Sequence, residues 1–115
     1  MSRDFRLDLD DMRQAYAKVI HYAHGLSQAQ LMDDDRTFDA IVRNLEIIGE
    51  AAKHVPREVQ ELHPAVKWRK ITGLRNVVAH EYFGLDEDVL WDIIRNQVPA
   101  LLAELDKKQA DDGPS

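Results

Sequence analysis

Leu9, Met12, Tyr16, Val19, Ala23 and Leu26 recur along the chain at alternating steps of three and four. That spacing places them on one face of an α-helix, whereas a half-buried strand would alternate at every second residue. Gly25 and Ser27 mark the end of this first helix. The same spacing returns in Phe38, Ile41, Leu45, Ile48 and Ala52, and the preceding Asp33, Asp34, Asp35 and Thr37 supply N-capping groups and favourable negative charge for a second helix. Gly49, Ala51 and Ala52 are small enough to let another helix approach closely. The segment "PREVQELHP", from Pro56 to Pro64, reads as one or two helical turns, because proline suits a first turn and disfavours helix at the residue before it.

From about Val66 the pattern is helical again through Tyr82, with Gly84 as a natural break. Asp86 is placed to cap a last helix, in which Leu90, Ile94, Val98, Leu101 and Leu105 line one side. Pro99 lies within that pattern and should kink it near Asn96 or restart it, since it lacks a backbone donor and crowds the preceding turn. Four principal helices with short connections predict an all-α, up-down four-helix bundle with a short helical connector between the second helix and the helix that follows Val66. Residues 1–110 are expected to form one helical domain and 111–115 a flexible tail.

Composition narrows the functional classes. A chain of 115 residues can bury a sound core but leaves little volume for a deep internal site, so chemistry is expected in a surface groove or between subunits. Twenty-one acidic against fifteen basic residues give a net charge of −6, which argues against broad electrostatic adhesion to nucleic acid or anionic membrane. There is no cysteine, which removes disulfides and thiolate zinc sites and fits a reducing interior. The first twenty residues carry charges and no apolar core of a signal peptide, and no apolar run approaches the roughly 20 residues that span a bilayer. The expectation is a cytoplasmic protein without membrane attachment.

The stretch "RNVVAHEYFG" breaks the ordinary pattern. At about 100° per residue, Ile71, Leu74, Val77, Val78 and Tyr82 form one apolar arc, while Arg75, Asn76 and His80 share an arc almost opposite to it. A plain solvated face would carry lysine and glutamate, which favour helix more than asparagine and histidine do. Asn76 and His80, one turn apart, could also simply bond to each other. Chemically, arginine offers a permanent charged fork that fits phosphate oxygens, and histidine takes and gives protons near neutral pH. Together they suffice for phosphodiester chemistry without a metal or other cofactor: His80 to move a proton, Arg75 to stabilise charge on phosphorus, Asn76 to orient either. Acid and base roles on opposite sides of a bond are more easily met by two histidines, which a symmetric dimer would supply.

Upstream, "KWRKITGLR" gathers Lys67, Arg69, Lys70 and Arg75 with no acid among them. Lys67, Arg69 and Lys70 are therefore candidate RNA-binding residues, or else a solvated turn. Trp68 between them is either a core residue or a platform for stacking a base. His21 and His24 lie three apart but lack a third metal ligand, and the pair Arg95 and Asn96 repeats an Arg-Asn dipeptide without a histidine.

The spacing Arg75, four residues, His80, one residue, Tyr82 resembles the motif of HepT-like toxins, a branch of the HEPN superfamily of small helical-bundle ribonucleases. "NLEIIGEAAKHV", "HPAVKWRKITGLRN" and "YFGLDEDVLWDIIRNQVPAL" extend the resemblance from about Phe38 to Leu105. The resemblance implies the toxin of a type VII-like toxin–antitoxin system: a metal-independent endoribonuclease acting on RNA as a homodimer, with Arg75 and His80 as the catalytic pair and Asn76 in support. It further implies a minimal nucleotidyltransferase of the MNT type as antitoxin, which adenylylates Tyr82 and could join the dimer in a larger complex. Glu46 and Glu50 match acidic positions of the second-helix block, where a structural hydrogen bond is the simpler role. A non-catalytic HEPN module, binding nucleotide or serving a nucleotidyltransferase as an interaction subunit, is the alternative.

Overall fold

A computed structural model of the chain describes residues 4–74 and 87–111, with side chains through Asp106. Among the described residues the structure is helical, with no strand. The elements in order are α1 (Phe5–Ala23), α2 (Gln28–Asp33), α3 (Asp35–Lys53), α4 (Arg57–Glu61), α5 (Trp68–Thr72), α6 (Glu87–Asp92), a π-helical turn (Ile93–Gln97) and α7 (Val98–Asp111). α1 packs most extensively on α3 and also along α7, while α2 and α5 both lean on α3. The all-α bundle expected from the apolar spacing is therefore what forms.

The spacing works because each stripe is buried. Leu9, Met12, Tyr16, Val19 and Ala23 of α1 meet Ile41, Leu45, Ile48 and Ala52 of α3, and Leu90, Ile94, Val98, Leu101 and Leu105 close the same apolar cluster. Gly49, Ala51 and Ala52 are all buried, so the small residues of α3 do lie inside. Asn44 is the polar exception on this helix; its Nδ2 donates to the Ala40 carbonyl at 2.8 Å, which satisfies an amide that burial would otherwise penalise.

Three boundaries follow local chemistry. The first helix stops at Ala23, three residues before the predicted apolar stripe ends, because Gly25 adopts φ 77°, a left-handed turn that non-glycine residues rarely take. Leu26 therefore does not extend α1. Ser27 instead starts α2, an element absent from the sequence reading, through a reciprocal cap: Ser27 Oγ accepts from the Gln30 amide at 3.1 Å and the Ser27 amide donates to Gln30 Oε1 at 2.9 Å. At α3 the expected aspartate cap is present, with Asp34 accepting from the Thr37 amide at 3.1 Å and from Thr37 Oγ1 at 2.8 Å. These bonds, the backbone one first, hold the Asp34 carboxyl below the usual carboxylate range.

The helix expected to run unbroken from Val66 is corrected. α5 begins at Trp68 and closes at Gly73, whose amide donates back to the Arg69 carbonyl at 3.2 Å. A Cβ at Gly73 would stand 3.3 Å from that same carbonyl, a close contact. Gly84 and the Asp86 cap lie outside the described residues.

The kink expected from Pro99 is present as a π turn. Proline cannot donate to the carbonyl four residues back, and the Val98 amide reaches five residues back to the Ile93 carbonyl. Two tethers join distant elements: Gln28 Nε2 donates to Asp88 Oδ1 at 2.7 Å, linking α2 to α6. Arg13 Nε lies 3.9 Å from Asp106 Oδ1, an ion pair between α1 and α7 too long to be a hydrogen bond.

Candidate functional site

The basic cluster sits on a very short element. Lys67 is the N-cap of α5, and with Arg69 and Lys70 it is exposed. A five-residue helix does not hold itself together, and Trp68 anchors it. The indole Nε1 donates to the carbonyls of Gln60 at 3.1 Å and His63 at 3.2 Å, and the ring meets His63 edge-on with centroids 6.4 Å apart. Of the two readings of Trp68, the structure supports packing: its one donor is engaged and its ring is half-buried against the core.

Between α5, the π turn and the start of α7 lies a pocket of about 270 Å³. Its apolar wall comes from Val66, Ile71, Leu74, Ile93, Val98 and Leu101. Tyr16 contributes from α1; it is 1% exposed, and its hydroxyl has no hydrogen-bond partner among the described residues. Burial pushes that phenol well above its ordinary range, so it stays protonated as a donor. The polar members of the lining are Lys67, Lys70, Asn96, Gln97 and Glu104.

The two amides are fixed from below. Asp92 Oδ1 accepts from Asn96 Nδ2 at 2.7 Å and Asp92 Oδ2 accepts from Gln97 Nε2 at 3.0 Å. A lone carboxylate reaches residues four and five positions ahead because the π turn swings both onto one side. The Asn96 bond first, then the Gln97 bond, lower the Asp92 pKa; desolvation opposes them, and the charge of Lys70 adds a lesser lowering. Because an ionised carboxylate only accepts, each amide must turn its NH2 toward Asp92, which fixes where its carbonyl oxygen is.

Arg75, Asn76, His80 and Tyr82 lie outside the described residues. Lys67, Arg69 and Lys70 are described and lie together on one turn, Lys67 and Lys70 on the pocket and all three exposed. At the end of α3, Nε2 of the C-cap His54 lies 3.5 Å from Glu50 Oε1. His21 stacks obliquely on Tyr22 at 5.9 Å, and among the described residues no group of three or more His, Asp or Glu side chains could hold a metal ion. Sequence reasoning missed Tyr16, Asp92, Asn96 and Gln97 as a constellation and set Arg95–Asn96 aside. The signal was Asp92 one turn before Asn96, directly ahead of the proline that distorts the turn.

The sequence matches the family model for the ribonuclease HepT-like family over residues 12–107. It is 33% identical to the "Probable ribonuclease HepT" of Thermococcus cleftensis, covering 93% of this chain and 97% of that one. It is 38% identical to a protein of Caldanaerobacter subterraneus named "Putative RNase", over 81% of this chain and 83% of the relative. A similarly named protein of Methanocaldococcus jannaschii is 31% identical over 91% of this chain and 87% of its own length. No solved structure matches the chain.

Proposed function

Because this chain belongs to the ribonuclease HepT-like family, we propose that it is an endoribonuclease whose active site is built around Arg75 and His80. The observation that carries the proposal is the family match over residues 12–107, which takes in Arg75, His80 and Tyr82 at the spacing of the HepT-like motif.

The chemistry follows from the two side chains. A neutral His80 imidazole removes the proton of a ribose 2′-hydroxyl, and the 2′-oxygen attacks the adjacent phosphorus. The bond from phosphorus to the 5′-oxygen breaks, leaving a 2′,3′-cyclic phosphate and a 5′-hydroxyl that must receive a proton. A second His80, from another copy of the chain, would give that proton, which is the reason for a homodimeric enzyme. Arg75 stabilises the added negative charge on phosphorus, and Asn76 orients the histidine or the phosphate. No step in this scheme calls on a metal. Lys67, Arg69 and Lys70, exposed on one turn, offer an approach for the phosphate backbone that the overall charge of −6 does not.

The same reading makes the protein the toxin of a toxin–antitoxin pair, silenced by a minimal nucleotidyltransferase. The Tyr82 hydroxyl attacks the α-phosphorus of ATP, pyrophosphate leaves, and the tyrosine carries AMP. The acidic net charge favours a second reading, a non-catalytic module that binds nucleotide or partners the nucleotidyltransferase. Expression separates the two: wild type should arrest growth while His80→Ala and Arg75→Ala should not, and equal growth of all three would support the module. For Tyr82, incubation with the nucleotidyltransferase and ATP should add AMP to the intact mass of wild type and not of Tyr82→Phe. A mass gain that persists in Tyr82→Phe would move the modification elsewhere.

A further inference from the structure

We propose that Trp68 is a positioning residue for RNA: by tying α5 to the end of α4 it holds Lys67 and Lys70 as a fixed pair of cations for neighbouring phosphates of the strand. The inference rests on the reading of the chain as a protein acting on RNA, and adds to it a residue that itself touches no RNA. Lys67 and Lys70 are exposed and both line the pocket between α5 and α7, so they share one side of α5, whereas Arg69 is not on that lining. Neither lysine makes a side-chain hydrogen bond or ion pair among the described residues. Lys70 acts on Asp92 by charge alone, and both oxygens of that carboxylate are already engaged by Asn96 and Gln97. Two free ammonium groups on one side of a turn suit phosphate oxygens.

What keeps them there is not the helix itself. A helix as short as α5 has no stability of its own, and no side chain caps its start at Lys67. Val66, Ile71 and Leu74 are buried and set how deeply the segment lies. Apolar burial is non-directional, however, and leaves the rotation of α5 about its axis weakly specified. A hydrogen bond is directional, and the Trp68 indole makes two, to the carbonyls of Gln60 at 3.1 Å and His63 at 3.2 Å. Among the described residues these are the only side-chain hydrogen bonds that leave α5, since Thr72 bonds back to the Arg69 carbonyl within it. The turn that the indole grips is itself closed: the Gln60 carbonyl also accepts the His63 amide at 3.0 Å, the His63 carbonyl accepts the Val66 amide at 3.1 Å, and His63 is 6% exposed.

Rotation matters here because acids stand close by. Glu104 lines the same pocket, and Asp92 is near enough to feel the charge of Lys70. An α5 free to turn would let either lysine settle against one of these carboxylates and withdraw it from RNA. In a chain with a net charge of −6 few other cations would replace it. Fixing α5 in advance also lowers the ordering cost that binding must otherwise meet.

The test is a double-mutant cycle read by fluorescence anisotropy, using full-length protein carrying His80→Ala to prevent cleavage and a 5′-labelled single-stranded RNA at one fixed salt concentration. Trp68→Phe keeps an aromatic ring and removes the N–H, and should weaken binding roughly tenfold, about what one net hydrogen bond supports. Added to Lys67→Gln and Lys70→Gln together, the same substitution should cost less than about twofold, because the cations it serves are gone. An equal loss in both backgrounds, or no loss in the first, would overturn the proposal. A second measurement needs no substitution at Trp68: its indole proton, followed by NMR, should exchange slowly with solvent both without and with RNA. Fast exchange in the free protein would show that the tether does not hold, and would also overturn the proposal. Protein that binds RNA but does not respond to Trp68→Phe would leave the RNA reading standing and remove the role of Trp68. Protein that binds no RNA at all, with the indole proton still slow, would remove the RNA reading and the proposal with it.

Discussion

Asn96 donates its side-chain amide to Asp92 at 2.7 Å across a turn that is π-helical instead of α-helical. The pair ties the distortion ahead of Pro99 to a specific side-chain network. It also means that the carboxylate is in its ionised form in the folded protein, with its pKa depressed by the Asn96 and Gln97 bonds.

That depression sets a pH dependence. A carboxyl whose folded pKa lies below its unfolded value of about 3.9 contributes stability above that value and loses it as pH falls through the folded pKa. Asp92→Asn should therefore lower the melting temperature slightly at pH 7, and the gap from wild type should close as pH drops below about 4. A gap that stays constant down to pH 2.5 would show that the carboxylate charge is not what Asn96 and Gln97 recognise.

Tyr16 makes the opposite prediction at the alkaline end. Its folded pKa is raised by burial, so its contribution is complete below the unfolded value of about 10 and is lost as pH rises toward the folded one. Tyr16→Phe removes a buried hydroxyl with no partner among the described residues and should leave stability at pH 7 unchanged or higher by about 1 kcal/mol. Thermal melts between pH 8 and 11 should then fall less steeply for the variant than for wild type. A destabilised Tyr16→Phe at pH 7 would mean that the hydroxyl is satisfied in the free protein.

The packing of α1 on α3 supplies the core. Leu45 is fully buried on the face of α3 turned to that core, and Leu45→Ala should destabilise by about 2–5 kcal/mol. Urea denaturation reads this directly, and a change below about 1 kcal/mol would show that the site collapses around the smaller side chain.

The parts of this fold that were legible in the sequence are those where one rule acts alone. The stripes through Val19, Leu45 and Leu101 report burial on a helix face, Asp34 sits one turn before the first stripe residue of α3, and Pro99 has only one way to disturb a helix. What was missed involves competition between rules. Leu26 keeps the spacing of α1, yet Gly25 turns the chain and Ser27 starts a new helix with Gln30. Val66 to Tyr82 reads as one periodic segment, but Gly73 closes α5 after five residues. The pocket was not legible because Tyr16 and Gln97 are far apart in sequence and come to line one cavity only through the packing of α1 against the π turn and α7. Arg75, His80 and Tyr82 stand out in the sequence by residue type and spacing and fall within the matched residues 12–107, but lie outside the described structure.

The most direct measurement is cleavage of a labelled single-stranded RNA by purified protein in excess EDTA, comparing wild type with His80→Ala and Arg75→Ala. Wild type should cut internally and leave 2′,3′-cyclic phosphate ends, and each variant should be slower by at least about a hundredfold, the lower range for losing a proton-transfer group or an electrostatic stabiliser. Cleavage that continues undiminished in both variants, or that requires a divalent ion in wild type, would contradict the account.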